Sequence, residues 1–585
     1  MVRVADYVIQ FLENKGIKHA FEVPGGGAMY LNDAIAKSNI TPIFCHHEQS
    51  CAMAAVGYSK ATNNVSLIIP TSGCGSTNTI TGILDAWQDS NKVFIVSGQA
   101  NLKETTYYKG IPLRKLGVQE VNIIPIIQSI TKYSITVTDP TKIKYILEEA
   151  YHLCTTGRPG PVWIDIPLDI QSSLISPDEL ESYSIIPKES NIDLSEFANL
   201  LSQAKRPIII AGGGIDSAGA RKELKQFIEY YNIPCAVTFL GIDFLEENHP
   251  LYVGRIGLKG TRAGNFAVQN SDLIISLGSS LSVAATGFRY DLFGREAKIV
   301  VVDIDMIEHT KGTVRIDSFI EKDVKQFLLE FINNPIDYRV PSFWSSKCLS
   351  WKTKWSPFNR PDINELNMYS FSKELTECTK DLDSVVTTDA GSAYYILAQS
   401  LMNNTLILPS AQGEMGFTLP AAVGIAVAQP ERLVIGVTGE GSFQFNIQEL
   451  QTIVQNKLPI KLFVLNNGGY LSIRNTQTKL FEKRLSGVNA DSGISFPDCR
   501  KIANAYNFKF YRINTIHELK TLLPEILALD TYCLCEVMCP VTEEIYPTSA
   551  TIKTEDGKLS SRPLENMFPF LSEEEFKNEM IIKPI

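Results

Sequence analysis

The chain has 585 residues, 44% of them hydrophobic, and a formal net charge of −10. That length fits about three domains of ordinary size, with apolar content enough for several cores. The acidic balance, without long single-sign runs, argues against nucleic acid as a partner, and no apolar run approaches the ~18 residues of a membrane-spanning helix.

MVRVADYVIQFLENKG predicts an amphipathic helix with Val4, Tyr7, Val8, Phe11 and Leu12 on one face and Gly16 ending it, rather than a signal peptide. A cytoplasmic protein is expected. Strands follow in IKHAFEVPGG, VSLIIPTSG and KVFIVSGQ, with helices between them. His47-Glu48-Gln49 lies between a short strand, TPIFC, and a helix, AMAAVGYSKAT. A glutamate there is ordinarily a capping or solvated residue. GRPGPVWIDIPLDI closes a first unit, 1–175, and the polar, proline-bearing ISPDELESYSIIPKES reads as a linker. A second α/β unit, 190–335, has strands in RPIIIAGGG, DLIISLGSS and KIVVVDID. Its Gly212-Gly213-Gly214 leaves G-x-G-x-x-G incomplete, so a structural turn is the favoured reading. Residues 341–365, with three tryptophans, lead to a third unit, 366–545; the polar, turn-rich 546–585 is expected to be an arm or lid.

The third unit carries the densest chemistry. LVIGVT is a β-branched strand, and GEGSFQFNIQELQTIVQNKLPIKLFVLNN (Gly439 to Asn467) reads as a glycine-flanked carboxylate, a helix, a buried parallel strand and paired asparagines. Asn446-x-x-Glu449 has capping-box spacing for that helix. Carboxylate and amides should therefore emerge together at the carboxyl edge of the sheet, where open α/β sheets bind ligands. Glu440, the Asn467 amide oxygen and the Gly469 carbonyl suit a hard divalent cation, while Gly439 and Gly441 let the backbone approach a diphosphate. The plain alternative is an ordinary turn with a solvated glutamate. Cys533, Cys535 and Cys539 in TYCLCEVMC read as one face of a buried strand, and eleven cysteines in so long a chain carry no disulfide framework.

This run resembles the GDG…NN signature of thiamine diphosphate enzymes, with 24 residues between Gly441 and Asn466. Glu440 stands where the family usually has aspartate, which keeps the carboxylate one methylene further out. AQGEMGFTLP (from Ala411) resembles the family's G-x-M-G-x-x-L-P loop, and HEQ its activating glutamate motif. VPGGGAMYLNDAI, TSGCGSTNTITGILDAWQDS, QEVNIIPIIQSITKY and TDAGSAYY are similar to acetolactate synthase catalytic subunits, so the resemblance covers nearly the whole chain. It implies three consecutive doubly wound parallel-sheet α/β domains: pyrimidine-binding, central and diphosphate-binding. It implies thiamine diphosphate and Mg²⁺, the metal held by Glu440, Asn467 and Gly469. Glu48 would be the acid beside N1′ of the aminopyrimidine, and Gln119 would approach the reacting carbon. Met415 would wedge between the two rings and hold the cofactor bent, and the Gly413 carbonyl would accept from the 4′-amino group. Gly25, Gly26, Gly391, Ser392, Gly439, Gly441, Ser442, Asn467 and Tyr470 complete the implied cofactor contacts.

Two departures narrow the expectation. The flavin-containing synthases have G-x-R-F-D-D-R where this chain has Gly278-Ser279-Ser280-Leu281-Ser282-Val283-Ala284, and a tryptophan where it has Thr476. FAD is therefore not expected, and Arg474 and Gln477 become the candidate contacts for a substrate carboxylate or hydroxyl. GGYLSIRNTQ and SRPLENMFPFL are also similar to carboligases encoded with surface-sugar pathways. The implied reaction decarboxylates pyruvate or another 2-oxo acid and transfers the two-carbon unit to a second carbonyl. The alternatives are a simple decarboxylase, for which no enamine-protonating histidine stands out, and a non-catalytic cofactor-binding protein. The implied assembly is a homodimer or homotetramer with sites between subunits, and no membrane partner.

Overall fold

A computed structural model describes residues 1–185, 193–553 and 559–585. The end of the expected linker, within 186–192, lies outside the described residues. Three six-stranded sheets form the three domains, and every strand pairing within them is parallel. Their strands are the β-branched runs read from the sequence, buried on both faces as parallel sheets require: IIIA at 208–211, for example, is fully covered.

The first and third sheets share one strand order. In the first it runs Thr41–Phe44, His19–Glu22, Ser66–Ile69, Val93–Gln99, Val162–Pro167, Tyr133–Thr136. In the third it runs Thr405–Ile407, Ser384–Thr388, Leu433–Gly439, Lys461–Asn466, Cys533–Met538, Lys509–Ile513. Both orders read second, first, third, fourth, sixth, fifth in chain terms, so the same loops of each domain gather at the carboxyl edge. The central sheet differs, running Tyr252–Arg255, Cys235–Val237, Pro207–Ala211, Leu273–Leu277, Lys298–Asp303, Ser318–Glu321, the order of dinucleotide-binding folds. Gly212 and Gly214 serve close packing there, since a Cβ on Gly214 would lie 2.6 Å from Gly278 Cα. Beside them lies a cleft of about 460 Å³, bordered by Arg158, Gly213, Ser279 and Asp303.

The first and third domains meet through helices Glu48–Thr62 and Thr418–Ala428. Alanines and glycines let these helices touch backbone to backbone: a Cβ on Gly57 would sit 2.7 Å from the Ala421 carbonyl oxygen, and one on Gly424 would strike Ala54. The N-terminal helix spans Val4–Asn14 and buries Val4, Ala5, Val8, Ile9 and Leu12, so its inward face is turned slightly from the predicted one, leaving Tyr7 and Phe11 at the margin.

The tryptophan-bearing stretch contains a helix, Ser342–Lys354, whose Trp344 and Trp351 lie in the central core. The C-terminal segment is an arm clasping the central domain. Glu565 pairs with Arg295, Glu579 with Lys347 and Lys354, and the Arg262 guanidinium donates to the Pro569 carbonyl.

Candidate active site

At the carboxyl edge of the first sheet, four loops converge. The Gly27 N–H donates to Thr71 Oγ1 at 3.1 Å, which brings the loop after the first strand against the loop after the third. Gly26 has no heavy atom within 4 Å of where a Cβ would stand, so the backbone there is open. A Cβ on Gly73 would lie 2.5 Å from the Gln119 carbonyl oxygen, and one on Gly75 would lie 3.4 Å from Glu48 Oε1. Glu48 is the first residue of its helix, behind the capping imidazole of His47, and Asn78 Nδ2 donates to its Oε2 at 2.9 Å. One oxygen of Glu48 is thus held and the other left toward the glycine loop. Gln119, at φ +54°, is exposed among Ile111, Leu113, Leu116 and Val118, all exposed large apolar side chains.

The third sheet builds the other bed. Gly391, at φ +86°, opens the helix Ser392–Ser400, and Ser392 Oγ lies 3.1 Å from Ser472 Oγ. Glu440 is buried; its Oε1 accepts the Gly469 N–H at 2.5 Å and the Asn467 N–H at 3.2 Å. Burial raises its pKa, partly offset by those backbone N–H donors. The Asn467 side-chain oxygen is buried without a hydrogen-bond partner among the described residues. An orphaned amide oxygen beside a desolvated carboxylate is what a bound divalent cation would satisfy. Gly439 and Gly413 also have nothing within 4 Å of a Cβ position, which leaves room over the backbone for a diphosphate and a ring. Gly441 is different: a Cβ would run into the Tyr470 ring, itself edge-on to Phe496 at 5.5 Å. The residues present fit thiamine diphosphate with a metal.

The Met415 loop is stitched to the diphosphate motif. Gly416 N–H donates to Ser442 Oγ at 2.9 Å, and Asn446 Nδ2 donates to the Gly416 carbonyl at 2.8 Å. These bonds explain a correction. The capping box at Asn446 and Glu449 does not form, and the helix begins at Glu449 itself. Asn446 Oδ1 instead accepts from Ser50 Oγ at 3.0 Å, and the Glu449 carboxylate accepts the His46 N–H at 3.1 Å. Both side chains tie the two domains together.

Arg474 and Gln477 are committed to backbone in the single chain. Arg474 donates to the carbonyls of Asn467, Gly468 and Val541, bracing the loop that holds Asn467 and Gly469, and Gln477 exchanges hydrogen bonds with Ser486. His46 and His47 flank Glu48, yet the His46 ring bonds Thr452 Oγ1 and the His47 ring accepts from Gln49 N. The three cysteines of TYCLCEVMC are buried in one core, and no metal-holding group of three His, Cys, Asp or Glu occurs among the described residues.

Three features escaped the sequence reading. Asn78 orients Glu48 from 30 positions away. Asp389, fully buried, accepts from Thr438 Oγ1 at 3.0 Å, and burial lifts its pKa to about 6. Lys60 gathers three carboxylates under the Met415 loop: its Nζ is 2.7 Å from Asp89 and 3.5 Å from Asp85, and Glu414 lies beside them with neither oxygen hydrogen-bonded. No local spacing signals such contacts, because each joins separate segments.

Comparison with known proteins covers all three domains. Residues 2–126 match the family model described as thiamine pyrophosphate enzyme, N-terminal TPP binding domain; 194–331 match the central domain; 389–537 match the C-terminal TPP binding domain. A probable acetolactate synthase large subunit of Methanocaldococcus jannaschii is 33% identical over 562 residues, 92% of each chain. The acetolactate synthase isozyme 2 large subunit of Escherichia coli is 32% identical over 550 residues, 93% of this chain and 96% of its own. The chloroplastic acetolactate synthase 3 of Brassica napus is 31% identical over 567 residues, 93% of this chain and 84% of its own.

Proposed function

The chain belongs to the thiamine pyrophosphate enzyme family, related over nearly its whole length to acetolactate synthase large subunits, and from that premise we propose that it is a Mg²⁺-dependent carboligase. The donor is pyruvate or a close 2-oxo acid and the acceptor a second carbonyl compound. The C1–C2 bond of the donor breaks and CO₂ leaves; C2 bonds to the acceptor carbonyl carbon, whose oxygen takes up a proton. No oxidant is needed. Thiamine diphosphate, when bound, supplies the nucleophilic carbon and the electron sink for this chemistry.

The chain's own residues do the rest. Glu48 holds and exchanges a proton at the carboxyl that Asn78 orients. The Gly413 carbonyl and Met415 would position the aminopyrimidine. Gly391, Ser392, Gly439 and Ser442 would cradle the diphosphate, and Glu440, Asn467 and the Gly469 carbonyl would hold the cation. Gln119 steers the donor. The observation that carries the reading is the buried Asn467 oxygen, unpartnered among the described residues, beside the amide-pinned Glu440 carboxylate. The reading includes no flavin, since Gly278–Ala284 lacks the arginine and acids of the flavin-containing synthases; flavin absorbance in the purified protein would count against it.

The active unit is a dimer or a tetramer, with Glu48 of one subunit facing the Glu440 bed of another. The exposed apolar run beside Gln119, where Val118 is 81% accessible, supports a second copy as its cover. Incubation with Mg²⁺, thiamine diphosphate and pyruvate, with and without trial acceptors, tests the reading. Acetolactate- or acetoin-type products are expected. Free aldehyde alone would make the protein a decarboxylase, and no CO₂ release at all would leave only cofactor binding.

A further inference from the structure

Central-domain residues 257–261 meet the third domain and the C-terminal arm at one junction. The loop is rigidly set. Gln399 Nε2 donates to the Lys259 carbonyl at 2.9 Å, the Ser549 N–H donates to the Leu258 carbonyl at 2.8 Å, and nearby Arg255 donates to the carbonyls of Gln399 and Leu401 at 2.6 Å each. From this frame the Lys259 ammonium reaches Thr548 Oγ1 at 2.6 Å and sits 5.5 Å from the centre of the Tyr395 ring. Among the described residues it makes no ion pair.

The junction adjoins the diphosphate bed. Tyr395 is one helical turn past Gly391, its N–H bonded to the Gly391 carbonyl at 3.2 Å. The Ser392–Ser472 contact joins that helix to Leu471–Leu480, which directly follows the metal loop and brings Lys479 near Lys259. Lys479 has its own counter-ion, Glu544 at 3.2 Å; among the described residues Lys259 has none. A partly desolvated ammonium without a counter-charge is costly, and such groups mark sites that await one.

We propose that Lys259 anchors an oxyanion subsite at this junction and, on the carboligase reading on which this assignment rests, that the oxyanion is the carboxylate or phosphate of the acceptor. Thr548 is the ammonium's internal hydrogen-bond partner, and the Tyr395 ring face lines the subsite. Burial first, and Lys479 second, lower the Lys259 pKa to about 8 in the free protein. An arriving oxyanion favours the charged form and makes a charge-assisted hydrogen bond, so binding should weaken as pH rises through about 8. The facing groups are Lys479 with its partner Glu544, the Tyr395 ring and the Thr548 hydroxyl.

The first measurement needs no turnover. The holoenzyme is treated with acetic anhydride at pH 8 and digested for mass spectrometry, alone, with inorganic phosphate, or with acetate. Lys259 should acylate faster than exposed Lys37 and Lys577, and phosphate or acetate should slow Lys259 alone. The anion that protects at the lower concentration identifies the preferred oxyanion, and protection by neither overturns the proposal. The second measurement compares KM for a 2-oxo acid acceptor, a phosphorylated aldehyde and acetaldehyde. Lys259→Met should raise KM for the matching anionic acceptor by roughly 30-fold more than for acetaldehyde, with Lys259→Arg recovering most of it. An equal shift for all three overturns the proposal by reducing Lys259 to a post for Thr548. Protection by phosphate in an enzyme that forms no ligation product would retain the subsite and refute the carboligase reading instead.

Discussion

The first and third domains use the same strand order, and the same four loops of each carry the residues of the proposed site. Gly25–Gly26 corresponds to Gly391–Ser392, Glu48 to the Gly413–Met415 loop, Thr71–Gly75 to Gly439–Ser442, and Gln119 to Asn467–Tyr470. The third domain's loops are finished by their own chain: Ser442, Asn446 and Glu440 tie them to one another through backbone N–H and carbonyl groups. The first domain's loops end in an acid with one restrained oxygen and an outward-facing apolar run. On the proposed function, one scaffold serves twice, as a self-contained anchor and as a catalytic face covered by a second copy.

Substitutions in the two halves should therefore fail in different ways. Glu440→Ala removes the buried carboxylate from the metal bed. Affinity for thiamine diphosphate with Mg²⁺, measured by calorimetry, should collapse, and turnover should fall on the order of 10³-fold. Wild-type affinity in this variant would remove Glu440 from the site. Glu48→Gln keeps the shape and the Asn78 contact but not the proton, so cofactor affinity should stay within about threefold while turnover drops roughly 10²-fold. A variant that turns over normally would end the assignment of Glu48 as the acid.

Mixing the two variants sharpens the comparison. If each site joins the first domain of one chain to the third of another, a heterodimer of Glu48→Gln and Glu440→Ala chains has one doubly damaged site and one intact site. Random exchange of equal amounts should then restore about a quarter of wild-type activity, because half the dimers are mixed and half their sites are whole. No recovery after demonstrated subunit exchange would place the complete site within one chain.

What the sequence disclosed follows the same division. The three sheets were visible because parallel strands buried on both faces are continuous apolar runs, and the meeting of Glu440 with Asn467 because one short strand–helix–strand unit joins them. Asn446 and Glu449 were misread for the opposite reason: their spacing imitates a local cap, while their partners are Ser50, Gly416 and His46 in distant segments. Lys60 with Asp85, Asp89 and Glu414 gave no sequence signal, since three segments supply that cluster.

Glu414 carries the smallest predicted effect and tests the comparison at its most exact correspondence, for it occupies the same loop as Glu48 and yet turns its carboxylate inward. Three carboxylates share one ammonium, so at least one of them lacks a full counter-charge. Burial comes first in raising the Glu414 pKa to about 7 from an ordinary 4.5, with Asp89 adding repulsion and Lys60 opposing. The unfolded chain releases this proton near pH 4.5 and the folded chain only near 7, so the residue's contribution to stability is intact below 4.5 and lost as pH rises through 7. Glutamine has no such proton. Glu414→Gln should therefore match the wild type near pH 4.5 and gain on it across that window, by ~1–3 kcal/mol at pH 8. Urea unfolding at both pH values measures this. A gap independent of pH would mean that the Glu414 carboxylate reaches water, and the inward orientation that separates it from Glu48 would be lost.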